Sequence, residues 1–161
     1  MKETDEKGAL LRLTTLCSQA EHCSWEMTEK MRKWGIDEAA QARIMAYLQK
    51  ERFVDDTRYC RAFVREKIKY NKWGPRKIVQ VLFAKHIGPE TYRPVLDDVN
   101  PEDYLSVLRP LLQNKRKTLR GLNEYEQNGR LVRFAMSRGF TFDLIRQCLD
   151  VTDDLIDEED D

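Results

Sequence analysis

Arg58, Arg61, Arg65, Lys69 and Lys72 fall within one narrow arc of a helix that turns every 3.6 residues. The opposite arc carries Cys60, Phe63, Val64 and Lys67, the last with a stem that can lie along apolar surface. Like charges at i,i+3 and i,i+4 repel by roughly a few tenths of a kcal/mol per pair, so such a stripe costs stability unless an anion faces it. A solvated helix face uses the same pattern. Gly74-Pro75-Arg76-Lys77 then tilts the balance. Glycine permits close backbone approach, proline presets the first helical φ, and the free amides of a helix start favour an anion. Arg76 and Lys77 extend the stripe, so an anion-facing edge is expected here.

Other residue types with chemical potential are weaker candidates. Asp55-Asp56 precedes a helical run, where a side-chain oxygen satisfies orphan amides, so capping is expected over catalysis or metal binding. Cys17, His22 and Cys23 lack a fourth ligand at useful spacing, and the four cysteines show no C-x-x-C pattern, so reduced thiols buried in helices are expected. His22 and His86 are the two imidazoles, and neither sits in a nucleophile signature. With no phosphate-cradling glycine loop, no enzyme, cofactor or metal is expected. Trp25 and Trp34 sit on apolar helix sides; Trp73, beside the Gly-Pro edge, is the one tryptophan placed for binding.

The elements that position these residues follow a repeated grammar. A first helix is expected from Gly8 to about His22, a second from a Ser24 N-cap with Glu26 in its first turn, ended by Gly35, and a third capped by Asp37 with Ala40, Ile44, Tyr47 and Leu48 inward. Ser24, Pro75 and Asn128 open the second helix of successive units. Met27, Ile78 and Leu131 follow three residues later, then Met31, Leu82 and Ala135, then Ile36, Ile87 and Phe140, each trailed by Asp37, Gly88 or Thr141. Offsets of 51 and 53 residues hold throughout, which predicts an all-α, elongated array of three three-helix repeats at 8–52, 53–99 and 100–150. The third helices of the first two copies run from Glu38 to Lys50 and from Glu90 to Asp97. Asn100-Pro101-Glu102-Asp103 opens the third copy, and Pro110 inside its apolar run predicts a kink or split.

A formal net charge of zero conceals segregation. Residues 151–161 hold seven acids and no base, leaving 28 bases against 21 acids in residues 1–150. Between residues 58 and 86 there are nine bases and one acid, Glu66, and Lys115-Arg116-Lys117, Arg120, Arg130, Arg133 and Arg138 form a second basic concentration. The acidic stretch has the composition of a disordered tail. No apolar run approaches 18 residues and the start of the sequence lacks a signal-like segment, so a cytosolic protein is expected.

Phe53-Val54-Asp55-Asp56, the run Tyr59-Cys60-Arg61-Ala62, Gly74-Pro75-Arg76-Lys77-Ile78 and the spacing from Leu82 to Ile87 resemble the central segment of the bacterial RecX proteins, and the resemblance extends from about Leu10 to Leu149. It implies a cytoplasmic, non-enzymatic regulator that binds the RecA–DNA recombination filament and restrains strand exchange, ATP hydrolysis and co-protease activity; a monomer is expected. Contact with single- or double-stranded DNA would be weak and sequence-independent. The residues expected to face this polyanion are Arg58, Arg61, Arg65, Lys69, Arg76 and Lys77, with Arg130 and Arg133 as a second set. The alternative is a helix-turn-helix regulator reading one DNA sequence, which needs base-reading side chains on an exposed helix. The acidic tail departs from typical relatives and suits a screen for these cations. Deleting residues 151–161 should therefore tighten DNA binding at low salt in a fluorescence-anisotropy titration, and unchanged affinity would rule out screening.

Overall fold

The computed structural model describes residues 5–150, and among them every regular element is helical. In chain order these are α1 (Glu6–Gln19), α2 (Ser24–Lys33), α3 (Glu38–Lys50), α4 (Asp56–Lys69), α5 (Pro75–Ala84), α6 (Pro89–Asp97), α7 (Pro101–Arg116), a 3-10 turn (Lys117–Leu119), α8 (Glu124–Ser137) and α9 (Phe142–Arg146). The sequence's periodic positions are the buried ones. Met27, Met31, Ile78, Leu82, Leu131 and Ala135 are wholly buried, as is Phe140, and Ile36 and Ile87 nearly so; Ile36, Ile87 and Phe140 close their turns alike. Each of the last three donates its backbone N–H five residues back, to Met31, Leu82 and Ala135 at 3.1, 3.0 and 3.1 Å. This is the closure of a Schellman turn, which needs a left-handed residue just before the donor. Gly35, His86 and Gly139 supply it, with φ of 75°, 62° and 91°. The acidic segment at 151–161 lies outside the described residues.

Several boundaries differ from the sequence reading, each for a local reason. Asp5 accepts from the Gly8 amide at 2.7 Å, which starts α1 two residues before Gly8, and the helix stops at Gln19. Ser24 is the first residue of α2, not its cap. Cys23 holds the cap position, where Glu26 accepts its amide at 3.0 Å. Asn128 does not open α8; Asn123 does, accepting from the Glu126 amide at 2.8 Å, while Asn128 lies buried one turn in. Tyr47 turns outward, 43% exposed, and stacks on Phe53. Pro110 does not split α7. It and Ser106, whose carbonyl its ring leaves without a donor, are both exposed, so water can reach the orphaned group. Asp37 and Thr141 cap α3 and α9 through the Ala40 and Leu144 amides.

The chain divides into two compact units, one formed by the chain up to Phe63 with Leu82–Val95, the other by Val64–Val81 with the chain from Leu96 onward. In the first, Ala9 and Leu13 of α1 join Met27, Met31, Ile36, Ala40, Ile44, Leu48 and Val54 in one apolar cluster. Asp56 ties this unit across the chain, accepting the Ser24 amide at 2.8 Å and the Ser24 hydroxyl at 2.6 Å. Asp55 caps its own helix through the Arg58 amide at 3.0 Å. The aspartate pair thus caps two helices, α4 and α2.

In the second unit, Tyr104, Leu105, Leu108 and Leu112 of α7, Leu131, Val132 and Ala135 of α8, and Leu144 and Ile145 of α9 are buried. Here the start of α5 crosses the end of α8. The Gly74 amide donates to the Arg138 carbonyl at 2.8 Å and the Arg76 amide to the Gly139 carbonyl at 2.9 Å. A Cβ on Gly74 would meet the Phe140 backbone nitrogen at 2.3 Å, and one on Gly139 the Lys77 nitrogen at 2.5 Å. Backbone lies on both sides, so neither partner yields as a side chain would. Gly74→Ala should cost at least the about 1–3 kcal/mol typical of overpacking, read as a lowered urea midpoint; an unchanged midpoint would mean the crossing is not rigid.

Candidate functional site

On α4 the arcs separate as their periodicity requires. Cys60, Phe63 and Val64 are buried, while Arg61, Arg65 and Lys69 are exposed. Arg58 leaves the series. Its Nε meets Glu21 at 2.6 Å and its Nη2 donates to the Arg52 carbonyl at 3.0 Å and to Phe53 at 3.4 Å. That guanidinium holds the turn between α3 and α4, where Arg52 itself adopts φ 60°. No carboxylate pairs with Arg61, Arg65, Lys69, Arg76 or Arg130 among the described residues.

The second unit gathers cations from α4, α5 and α8. Lys67 and Lys77 place their ammonium groups 5.2 and 4.9 Å from the Trp73 ring centroid. The ring is half-buried between lysines of its own chain, so its surface is already engaged by cations and its suitability for base stacking is reduced. Two of the amides expected to receive an anion at the start of α5 are also spoken for, since Gly74 and Arg76 donate to the α8 corner, and the Lys77 nitrogen lies against Gly139. The close approach that Gly74 permits is to Gly139 and Phe140. What remains for a ligand at this edge is side chains: Arg76 exposed and Lys77 partly so. The crossing brings Arg138 beside them.

A second concavity in this unit is lined by Lys115, Leu119, Arg130, Arg133 and Phe134. Arg130 and Arg133 are exposed, and the Phe134 ring carries the Lys115 ammonium at 5.3 Å and the Arg138 guanidinium at 5.1 Å. Lys115 belongs to the basic concentration read from the sequence, whereas Phe134 was not singled out, although Arg130, Phe134 and Arg138 stand at i, i+4 and i+8 on one helix face. In the first unit Trp25 stacks on His86 at 5.3 Å and Trp34 lies under the Arg12 guanidinium at 4.6 Å, so both rings serve packing.

The buried thiols are not poised as nucleophiles. Burial pushes the Cys23 thiol up to about 12 and the Cys60 thiol to about 11, so both are protonated at neutral pH. Among the described residues no three His, Cys, Asp or Glu side chains converge as a metal site. No described helix is long and apolar enough to cross a membrane. The surface suits a polyanion held by exposed guanidinium and ammonium groups.

Comparison with known proteins gives this geometry a family. Residues 55–96 match the model of the RecX second three-helix domain, and residues 102–149 match that of the third. The regulatory protein RecX of Vibrio parahaemolyticus is 26% identical over 139 residues, covering 86% of this chain and 88% of its own. That of Clostridium botulinum is 27% identical over 123 residues, 75% of this chain and 57% of the relative. A crystal structure of RecX from Lactobacillus salivarius superposes with a TM-score of 0.81 at 18% identity over 96% of both chains, a likeness of fold.

The two kinds of cation should separate in stability. Arg58→Ala removes a fixed ion pair and two carbonyl contacts and should lower the urea-derived stability by about 1 kcal/mol. Arg61→Ala and Arg65→Ala relieve repulsion and should stay within about 0.5 kcal/mol of the parent. A comparable loss at all three would show that the open cations have internal partners.

Proposed function

This chain belongs to the RecX family, and from that premise we propose that it is a non-enzymatic regulator that lies against the RecA–DNA filament and restrains strand exchange, ATP hydrolysis and co-protease activity. The observation that carries the reading is the run Arg61, Arg65 and Lys69, exposed at one-turn intervals and without carboxylate partners among the described residues. Repulsion along the run is relieved when a regularly charged polymer faces it. Arg76 and Lys77 at the start of α5, and Arg130 and Arg133 on α8, extend the contact. Arg58 serves by fixing the turn that launches α4. The filament supplies DNA phosphates and protein carboxylates along one groove. Contact with DNA alone is weak, insensitive to sequence and steeply salt-dependent. The regulator acts as a cytoplasmic monomer.

A sequence-specific reader would need base-reading side chains on its exposed helices. The outward positions of α3 and α6 include Gln49 and Arg93 as side chains of base-reading type, but Arg43 is held by Glu6 at 2.7 Å and most of the rest are alanines, carboxylates and Pro94. Strong preference for one duplex in a gel-shift panel would favour that alternative. The direct test is RecA ATP turnover on single-stranded DNA titrated with this protein. Arg61→Glu with Arg65→Glu should raise the half-maximal inhibitory concentration roughly tenfold, the equivalent of about 1.4 kcal/mol. Full potency in that variant would remove both residues from the interface.

A further inference from the structure

The second unit carries a depression of about 640 Å³ at the end of α7, the following 3-10 turn and the end of α9. Leu112, Cys148 and Leu149 give it an apolar floor, and Arg116, Lys117 and Arg120 line its rim. Arg116 is half-buried and donates to the Gln127 and Asn128 side-chain oxygens at 2.9 and 2.8 Å. Both acceptors are neutral amides. The guanidinium is therefore oriented and partly desolvated, and its charge has no counter-ion among the described residues, an arrangement that is costly until an anion arrives. Lys117 and Arg120 stand exposed beside it, also without carboxylate partners there.

We propose that residues 151–161 of the same chain occupy this depression, with Leu155 and Ile156 on its floor and the flanking acids on its rim. The segment has seven acids, no base, and its adjacent Leu155 and Ile156 lie between Asp153-Asp154 and Asp157-Glu158. An apolar floor within a cationic rim matches that order, whereas a bare polyphosphate would use the rim alone. Position favours this depression over the one at Lys115 and Phe134, because Leu149, which lines it, lies two residues before the segment begins. Eleven residues span at most about 36–40 Å, and so short a tether raises the local concentration to the millimolar range, where weak contacts suffice. Occupation withdraws the rim cations from any external polyanion. The assignment is independent of what the α4 series binds.

The test uses the full chain and site-resolved mass spectrometry of cysteine alkylation by iodoacetamide, a small neutral reagent. Leu155→Ser with Ile156→Ser removes no charge from the chain, and release of the segment both uncovers the Cys148 thiol and carries carboxylates away from it, two effects that act in the same direction. Labelling at Cys148 should rise several-fold in that variant, with Cys17 unchanged as internal control. Lys117→Gln with Arg120→Gln should also accelerate Cys148, although loss of nearby positive charge by itself disfavours the thiolate and slows it. Cys23 and Cys60 report folding. If either labels in a variant, the measurement moves to the parent protein, where added salt should release Cys148 alone. Equal Cys148 rates in the parent and the Leu155/Ile156 variant, a flat salt response, or protection that appears only with added oligonucleotide or polyphosphate each overturn the proposal.

Discussion

A backbone constraint sets the direction of the chain three times. Ile36, Ile87 and Phe140 must be buried, and each is brought inward by a hydrogen bond reaching five residues back across the end of a helix. The closure demands a left-handed residue. Glycine meets that demand at 35 and 139, but the middle copy uses His86 at φ 62°. A non-glycine residue there costs about 1 kcal/mol or more, and the imidazole stacked on Trp25 at 5.3 Å is the contact available to offset it. Because closure, burial and the next cap lie within six residues, each turn launches the following helix in a defined direction.

The repeat was legible because its signals are local. Apolar side chains three and four apart, a glycine one place before the buried closer, and Asp37 or Thr141 after it announce themselves in any window of a dozen residues. Partners far along the chain were not legible. Asp56 reads as the cap of its own helix, since nothing near it points to Ser24 on another helix. Arg58 has the spacing of an open cation, and only the fold shows Glu21 beside it. Gly74 reads as room for a ligand when its neighbour is the backbone of Phe140. Asn128 looks like a cap because asparagine favours that role, yet Arg116 gives it a buried one. At Pro110 the surrounding apolar contacts of α7 override propensity.

The candidate surface was legible in outline for the same reason. Periodicity assigned Arg61, Arg65 and Lys69 to the side of α4 away from its apolar face, and they are there. It could not sort cations by what they already hold. Arg58 and Arg116 are fastened to oxygens of the chain, and Lys67 and Lys77 flank Trp73. Of these only Arg58 makes an ion pair, with Glu21, and a partly exposed pair adds little by itself; what the fastened set chiefly gains is a fixed orientation. The unfastened set adds repulsion and gives the surface its reach toward anions.

The crossing of Gly74 and Arg138 bears on how the polypeptide matures during synthesis. The two residues are 64 positions apart, and closing a loop of that length costs about 4 kcal/mol beyond a constant. Residues 64–81 belong with the chain from Leu96 onward, whereas 82–95 belong with the chain before Phe63. The first unit can consolidate once residue 95 has left the ribosome. Within the intervening stretch, the Gly74 and Arg76 amides must wait for more than forty further residues before the Arg138 and Gly139 carbonyls that accept them emerge. Until then the crossing is unmade, and the nascent chain passes through an interval in which premature association competes with completion of the fold.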